Sequence, residues 1–324
     1  MPREGDSVKS RRDMVDSESS LEDVDRLARS LVRLRSSPLL VLYYHEDGGA
    51  MLDTDVDDVY DAFRHRGWHS SLPKAHLDIL VHSLGGTPES AYRIAQVSRD
   101  FAKKVDFIIP EYAWSAATLL TLSGDTIRMG SHATLGPIDV TVGLPENEVE
   151  LASIEYYKRF VIDCLKSVLQ ELGQQSEGYE TDLETELLRE MVSQVSAINI
   201  GELYRMSEIT SHYAKRLMTD YMFGESAQAE IVVPTIAEAL VKGYPAHDFV
   251  LDYHMCSELG LKVEEMSERD SDLSKKVVAE LVAAVAKGHA CPEIGLHRGE
   301  SLRAPFIRLY DVGRFRGGES DGGA

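Results

Sequence analysis

Ser115 is the residue of this chain best placed to act as a nucleophile. It stands in Tyr112-Ala113-Trp114-Ser115-Ala116-Ala117, where an apolar stretch gives way to a helix-compatible run of small and apolar residues through Leu122. A serine at the mouth of a helix followed by alanines has little steric cover, and a helix N-terminus offers partial positive charge to an anion. Upstream lies the pair Gly85-Gly86. Glycines in a turn accept positive φ and bring backbone N–H groups close to a ligand, so the two features together fit a nucleophile facing a pair of oxyanion donors. The pattern alone fits a plain helix cap equally, since serine is a favoured N-cap residue. His82, just before the double glycine, reads as a buried histidine, and Asp125 and Asp139 read as cap or loop carboxylates.

Two strand-turn-helix units would position these groups. Leu77 to His82 is a short apolar, β-branched run that stops at Ser83-Leu84-Gly85-Gly86, the pattern of a buried strand entering a turn. Thr87 then caps a helix with Pro88 at its first position and a body running from Ala91 towards Lys103. Val105 to Pro110 is the second strand, and it leads to Ser115. Before these units, Leu21, Val24, Leu27, Ala28 and Leu31 share one helical face, Pro38 to Tyr44 is a strand, and Leu52 to Arg66 a helix. After them come helical patterns over Glu146 to Leu172, Thr181 to Phe223, Gly224 to Lys242 with Pro234 inside, and Ser271 to Lys287.

The formal net charge of −20 argues against a general binder of nucleic acid or anionic membrane, whose phosphates it would repel. A hydrophobic content of 43% is enough for a sizeable core. Cys164, Cys256 and Cys291 are odd in number and far apart, which fits a reducing compartment rather than a disulfide framework. No stretch approaches the apolar length of a membrane span, so a soluble, cytoplasmic protein with no membrane insertion is expected. No metal-spaced His/Asp/Glu motif, dinucleotide fingerprint or P-loop occurs, and no cofactor is expected.

The ordered series HSLGG, AWSAATLL and SGDTIRMGSHATLGPID, extended by GYPAHDFVLDYHMCSELGL, resembles the serine dehydrogenase proteinase family. These are soluble relatives of signal peptide peptidase A within the Clp protease/crotonase superfamily. The resemblance runs from about Pro38 to Val263. It implies an α/β fold, a Clp protease/crotonase-like spiral of ββα units with added C-terminal helices. The expected division is a mobile N-terminus and amphipathic helix over 1–36, the peptidase domain over 37–265, and a C-terminal helix with a flexible tail over 266–324. The implied activity is that of an ATP-independent serine endopeptidase of Ser-Lys type, a homo-oligomer acting on peptide or unfolded protein substrates.

Ser115 would be the nucleophile and the backbone of Gly85, Gly86 and Ala116 the oxyanion hole. Lysines on the long helix are the implied bases, Lys158 first and Lys166 as the alternative; the two fall within roughly 80° of each other on an ideal helix. A lysine serving near neutral pH must lose a proton it ordinarily holds to about 10.4, at a cost of about 4 kcal/mol. His132 is read as a loop or packing histidine, and His247-Asp248 as a pair that orders its loop. The chain departs from the family in Ala116-Ala117, where glycines are usual, and in Val140-Thr141 after Pro137-Ile138-Asp139. The alternatives left by the resemblance are a crotonase-type acyl-CoA enzyme and a catalytically silent assembly or regulatory relative.

Overall fold

A computed structural model describes residues 6–46, 49–139, 141–143, 148–150, 197–224, 227–286 and 305–312. Its elements in chain order are α1 (Asp6–Arg35), β1 (Leu39–Tyr43), α2 (Asp53–His65), β2 (Lys74–His82), α3 (Pro88–Phe101), β3 (Ala102–Ile109), β4 (Tyr112–Ala113), α4 (Ala116–Thr121), β5 (Thr126–Met129) and β6 (Thr134–Leu135). A small hairpin follows, β7 (Thr141–Gly143) with β8 (Glu148–Glu150). The rest comprises α5 (Ala197–Leu217) with a π-helical turn at Met218–Met222, α6 (Ala227–Lys242), α7 (Tyr253–Leu259), β9 (Val263–Glu265), α8 (Glu268–Ala286) and β10 (Phe306–Tyr310).

The main sheet has the order β10-β1-β2-β3-β5-β9. All neighbours are parallel except β10, which runs antiparallel to β1. Strands buried on both faces read as continuous apolar runs, and β1 to β3 do so because helices cover both sides. Leu40, Leu42, Ile79, Val81, Phe107 and Ile109 point into a core shared with α2 to α6. Their alternate neighbours Leu39, Val41, Tyr43, Leu80 and Ile108 face α1 and α8. The ββα repeat is visible where β3 passes to β4 and α4, and β5 to β6: β3 and β5 enter the main sheet, while β4 and β6 pair with each other.

Three expectations need correction. Helix α1 begins at Asp6, well before the apolar face that starts at Leu21. The helical pattern over Thr181 to Phe223, in which the sequence suggests a break near Asn199-Ile200-Gly201, runs unbroken from Ala197 through Gly201 where described. Residues 266–324 are not only a helix and a tail, because Phe306–Tyr310 forms the edge strand β10 of the main sheet, with Leu309 opposite Leu40. A five-residue strand far along the chain from its partner leaves no local periodicity that distinguishes it.

Asp78 and Asp106 lie side by side on the α1/α8 face, both essentially inaccessible. Buried carboxylates need partners. Arg35 grips Asp78 bidentately, with Nε at 2.6 Å and Nη2 at 3.0 Å. Lys104 and Arg128 stand 3.4 and 3.3 Å from Asp106. The fold also brings His76 to these carboxylates, so that one ligand atom from each of the three residues lies within 4.8 Å of the others. With three cationic side chains already on the two carboxylates, the cluster is an ion-pair network, not a vacancy for a cation.

Candidate active site

Ser115 sits between β4 and α4 at φ 52° and ψ −121°, one of two non-glycine residues with positive φ among those described. Its side chain makes no capping hydrogen bond to α4. That separates it from an ordinary N-cap serine, which has extended backbone and accepts from the first turn. Thr87 shows the contrast: at φ −82° its hydroxyl accepts from Ser90 N–H at 3.3 Å.

The neighbouring chain holds the Ser115 turn from several sides. Trp114 N–H donates to Ser83 O at 3.0 Å, and Ala117 N–H donates to Trp114 O at 2.9 Å. The buried Thr118 hydroxyl donates to Ala113 O at 2.7 Å and accepts from Gly136 N–H at 3.1 Å. Trp114 Nε1 donates to Thr134 Oγ1 at 2.9 Å, tying the residue before the serine to β6. A backbone in a sparsely populated region persists only where its surroundings over-determine it, and here they do.

The glycine strap lies directly against this turn. Gly85 has φ +119°, and a Cβ there would fall 2.8 Å from Ser115 Cβ and 2.9 Å from Trp114 O. Gly86 has φ +156°, and its Cβ would fall 2.2 Å from Met51 O. Met51 N–H donates to Gly85 O at 2.8 Å, and Thr87 N–H donates to Met51 O at 3.0 Å, so Met51 forms a one-residue parallel bridge with Gly86. Among the described residues, the N–H groups of Gly86 and Ala116 donate to no protein acceptor. Gly85 does not fit the donor role expected of it, because its N–H is already engaged by the Ser83 hydroxyl at 3.0 Å. Its place is steric: only a residue without Cβ lets the strap approach the serine.

Histidines expected near the site take different positions. His132 is exposed in the turn before β6. His82 is buried, with its ring 5.2 Å from Tyr43 and 4.2 Å from Tyr112. Burial lowers its pKa to about 4, although Glu46 opposes the shift and Glu111 lies 3.3 Å from Nδ1. His247, read with Asp248 as ordering its loop, reaches across to Asp139, with its Nδ1 2.6 Å from Asp139 Oδ1. Asp125 is a loop carboxylate as read, accepting from Val105 N–H at 2.9 Å and pairing with Arg99. Lys158 and Lys166 lie outside the described residues.

A family described as ClpP-like SDH-type serine proteinase matches residues 54–215, half of the chain and the stretch that holds Gly85, Gly86 and Ser115. The chain belongs to this family. The parallel-dominated α/β sheet and its ββα repeat agree with the ClpP-like fold of that family. Two uncharacterized proteins of Methanocaldococcus jannaschii are similar to this SDH-type chain. One is 22% identical over 249 residues, covering 74% of this chain and 72% of the relative. The other is 26% identical over 189 residues, covering 58% of this chain, which spans about half of that relative's length, 51%.

Among solved structures, a serine-to-alanine mutant of a membrane-bound stomatin-specific protease is 13% identical, with a TM-score of 0.39 over 70% of this chain and 79% of that one. A lysine-to-alanine mutant of a protease of the same description, in complex with a substrate peptide, is 14% identical, with a TM-score of 0.38 over 68% and 73%. A mutant of ClpP1 from Listeria monocytogenes is 13% identical, with a TM-score of 0.37 over 76% and 98%. No helix among the described residues is long and apolar enough to cross a membrane.

Proposed function

We propose that this SDH-type proteinase chain is an ATP-independent serine endopeptidase acting on peptides or unfolded protein segments. The observation that supports it most is Ser115, a non-glycine residue held at positive φ with its hydroxyl unused by the helix it precedes. Ser115 Oγ attacks the peptide carbonyl carbon while its proton passes to a base. The developing oxyanion is received by the N–H groups of Gly86 and Ala116, and one such donor is typically worth about 10²–10³-fold in rate. The carbon–nitrogen bond then breaks, the base returns the proton to the leaving amine, and water hydrolyses the acyl-enzyme.

The base in this reading is Lys158, with Lys166 the alternative one face along the same expected helix. A lysine must be neutral to accept the proton, so turnover rises with pH to an optimum above about 8, where a histidine base levels off near 7.

A fluorophosphonate probe tests the reading directly. Labelling in the unmodified chain and none in Ser115→Ala is the expected result, with Lys158→Ala slowing the reaction and His132→Ala leaving most of it. Tight acyl-CoA binding by an unlabelled chain replaces the peptidase reading with a crotonase-type one, and an unlabelled chain without such binding points to a silent relative.

A further inference from the structure

We infer that His247 and Asp139 are positioning residues for the Ser115 site, an inference that rests on the serine peptidase reading above. Asp139 is 6% exposed, and its Oδ1 meets His247 Nδ1 at 2.6 Å across a sequence separation of 108. Its Oδ2 is buried without a hydrogen-bond partner among the described residues. A buried carboxylate in that state depends strongly on a donor, and with a proton on Nδ1 the imidazole of His247 supplies one.

The pair stands at the end of the segment that shapes the serine turn. Thr134 holds the Trp114 indole, Gly136 packs against Trp114 and donates to Thr118, and Thr118 holds Ala113 O. That segment is in turn fastened to the C-terminal part of the chain. Leu135 and Leu251 exchange two backbone bonds at 2.9 Å, and Ile138 N–H donates to Leu240 O at 2.9 Å. Asp139, the next residue, is tied by its side chain to His247 in the loop between α6 and α7. Removing the imidazole leaves the carboxylate unpaired, so it moves towards water and draws Ile138 and Gly136 with it. The strained backbone at Ser115 then loses part of what fixes it.

The test is the rate at which the fluorophosphonate labels Ser115 in full-length protein, read beside each variant's melting curve. His247→Ala is expected to label at least tenfold more slowly while melting cooperatively, since small misplacements of reacting groups cost factors of this size and more. His247→Asn, whose amide can place an N–H near the Nδ1 position, should recover most of the rate. Asp139→Asn keeps the shape but weakens the bond, and should slow labelling several-fold even where His247→Ala does not fold. A role in stability alone would lower the melting temperatures and leave the labelling rates of the folded variants unchanged; that result, or a His247→Asn as slow as His247→Ala, overturns the inference. Failure of the unmodified chain to label removes the serine reading itself, and this inference with it.

Discussion

At the residue scale, the glycines and the buried histidine carry the sharpest expectations. From sequence, Gly86→Val looks like a local test of the oxyanion donor that leaves the fold intact. The structure argues otherwise, because a Cβ on Gly86 meets backbone atoms of Met51 at 2.2 to 2.7 Å and neither segment can give way without breaking the bridge. Even Gly86→Ala should therefore destabilise the chain by about 2–3 kcal/mol, in the range of an overpacked core, and abolish labelling with it. Urea unfolding and probe labelling measured together check this, and a Gly86→Ala protein of unchanged midpoint would refute the contact. His82 gives a pH signature. Because burial holds its folded pKa at about 4, below the ordinary 6.5, the unfolded chain takes up a proton first as pH falls. Stability from this group is complete above 6.5 and is lost as pH drops towards 4, by about 3 kcal/mol in all. Unfolding midpoints followed from pH 7 to 4.5 should fall less steeply in His82→Gln, and parallel slopes would exclude His82 as the cause.

At the scale of elements, the junction of α1 with β2 and β3 depends on Arg35. Its guanidinium is only 11% exposed and is the bidentate partner of the inaccessible Asp78. Arg35→Leu leaves that carboxylate buried without its bidentate partner and should cost about 3–5 kcal/mol, detectable as a lower urea midpoint. Arg35→Lys should recover only part, since an ammonium does not reproduce the fork. Asp106, next to it, responds to pH in a defined direction. Burial pushes its pKa up, but His76, with Nε2 3.3 Å away, and the charges of Lys104 and Arg128 more than offset this and bring it to about 2. Its contribution is present above the ordinary 3.8 and disappears as pH falls towards 2.

At the scale of the whole molecule, a homo-oligomer is the expected state. This is what the family resemblance implies, since most soluble oligomers are assemblies of identical chains. Light scattering at micromolar concentration should give a mass above that of the 36.0 kDa chain, and a monomer would refute the expectation.

What the sequence determined by itself is whatever depends on nearby residues. The apolar runs of β1, β2 and β3, the Thr87-Pro88 helix start and the order of motifs around Ser115 are local patterns, and they carried the fold class and the family and marked Ser115 as the candidate nucleophile. The strained φ of Ser115, the engagement of Gly85 N–H by Ser83, the Met51 bridge, strand β10 and the His247-Asp139 pair were decided only by the tertiary structure. Strand β10, the Met51 bridge and the His247-Asp139 pair join residues distant in the chain, and the Ser115 φ and the Ser83–Gly85 bond belong to single turns, so no periodicity records any of them; Asp139 was visible in the GPID motif, but its partner was not. Hydrophobic period is written into every turn of a helix and every second residue of a strand, whereas the meeting of one carboxylate with one imidazole exists only after the sheet and its helices have packed.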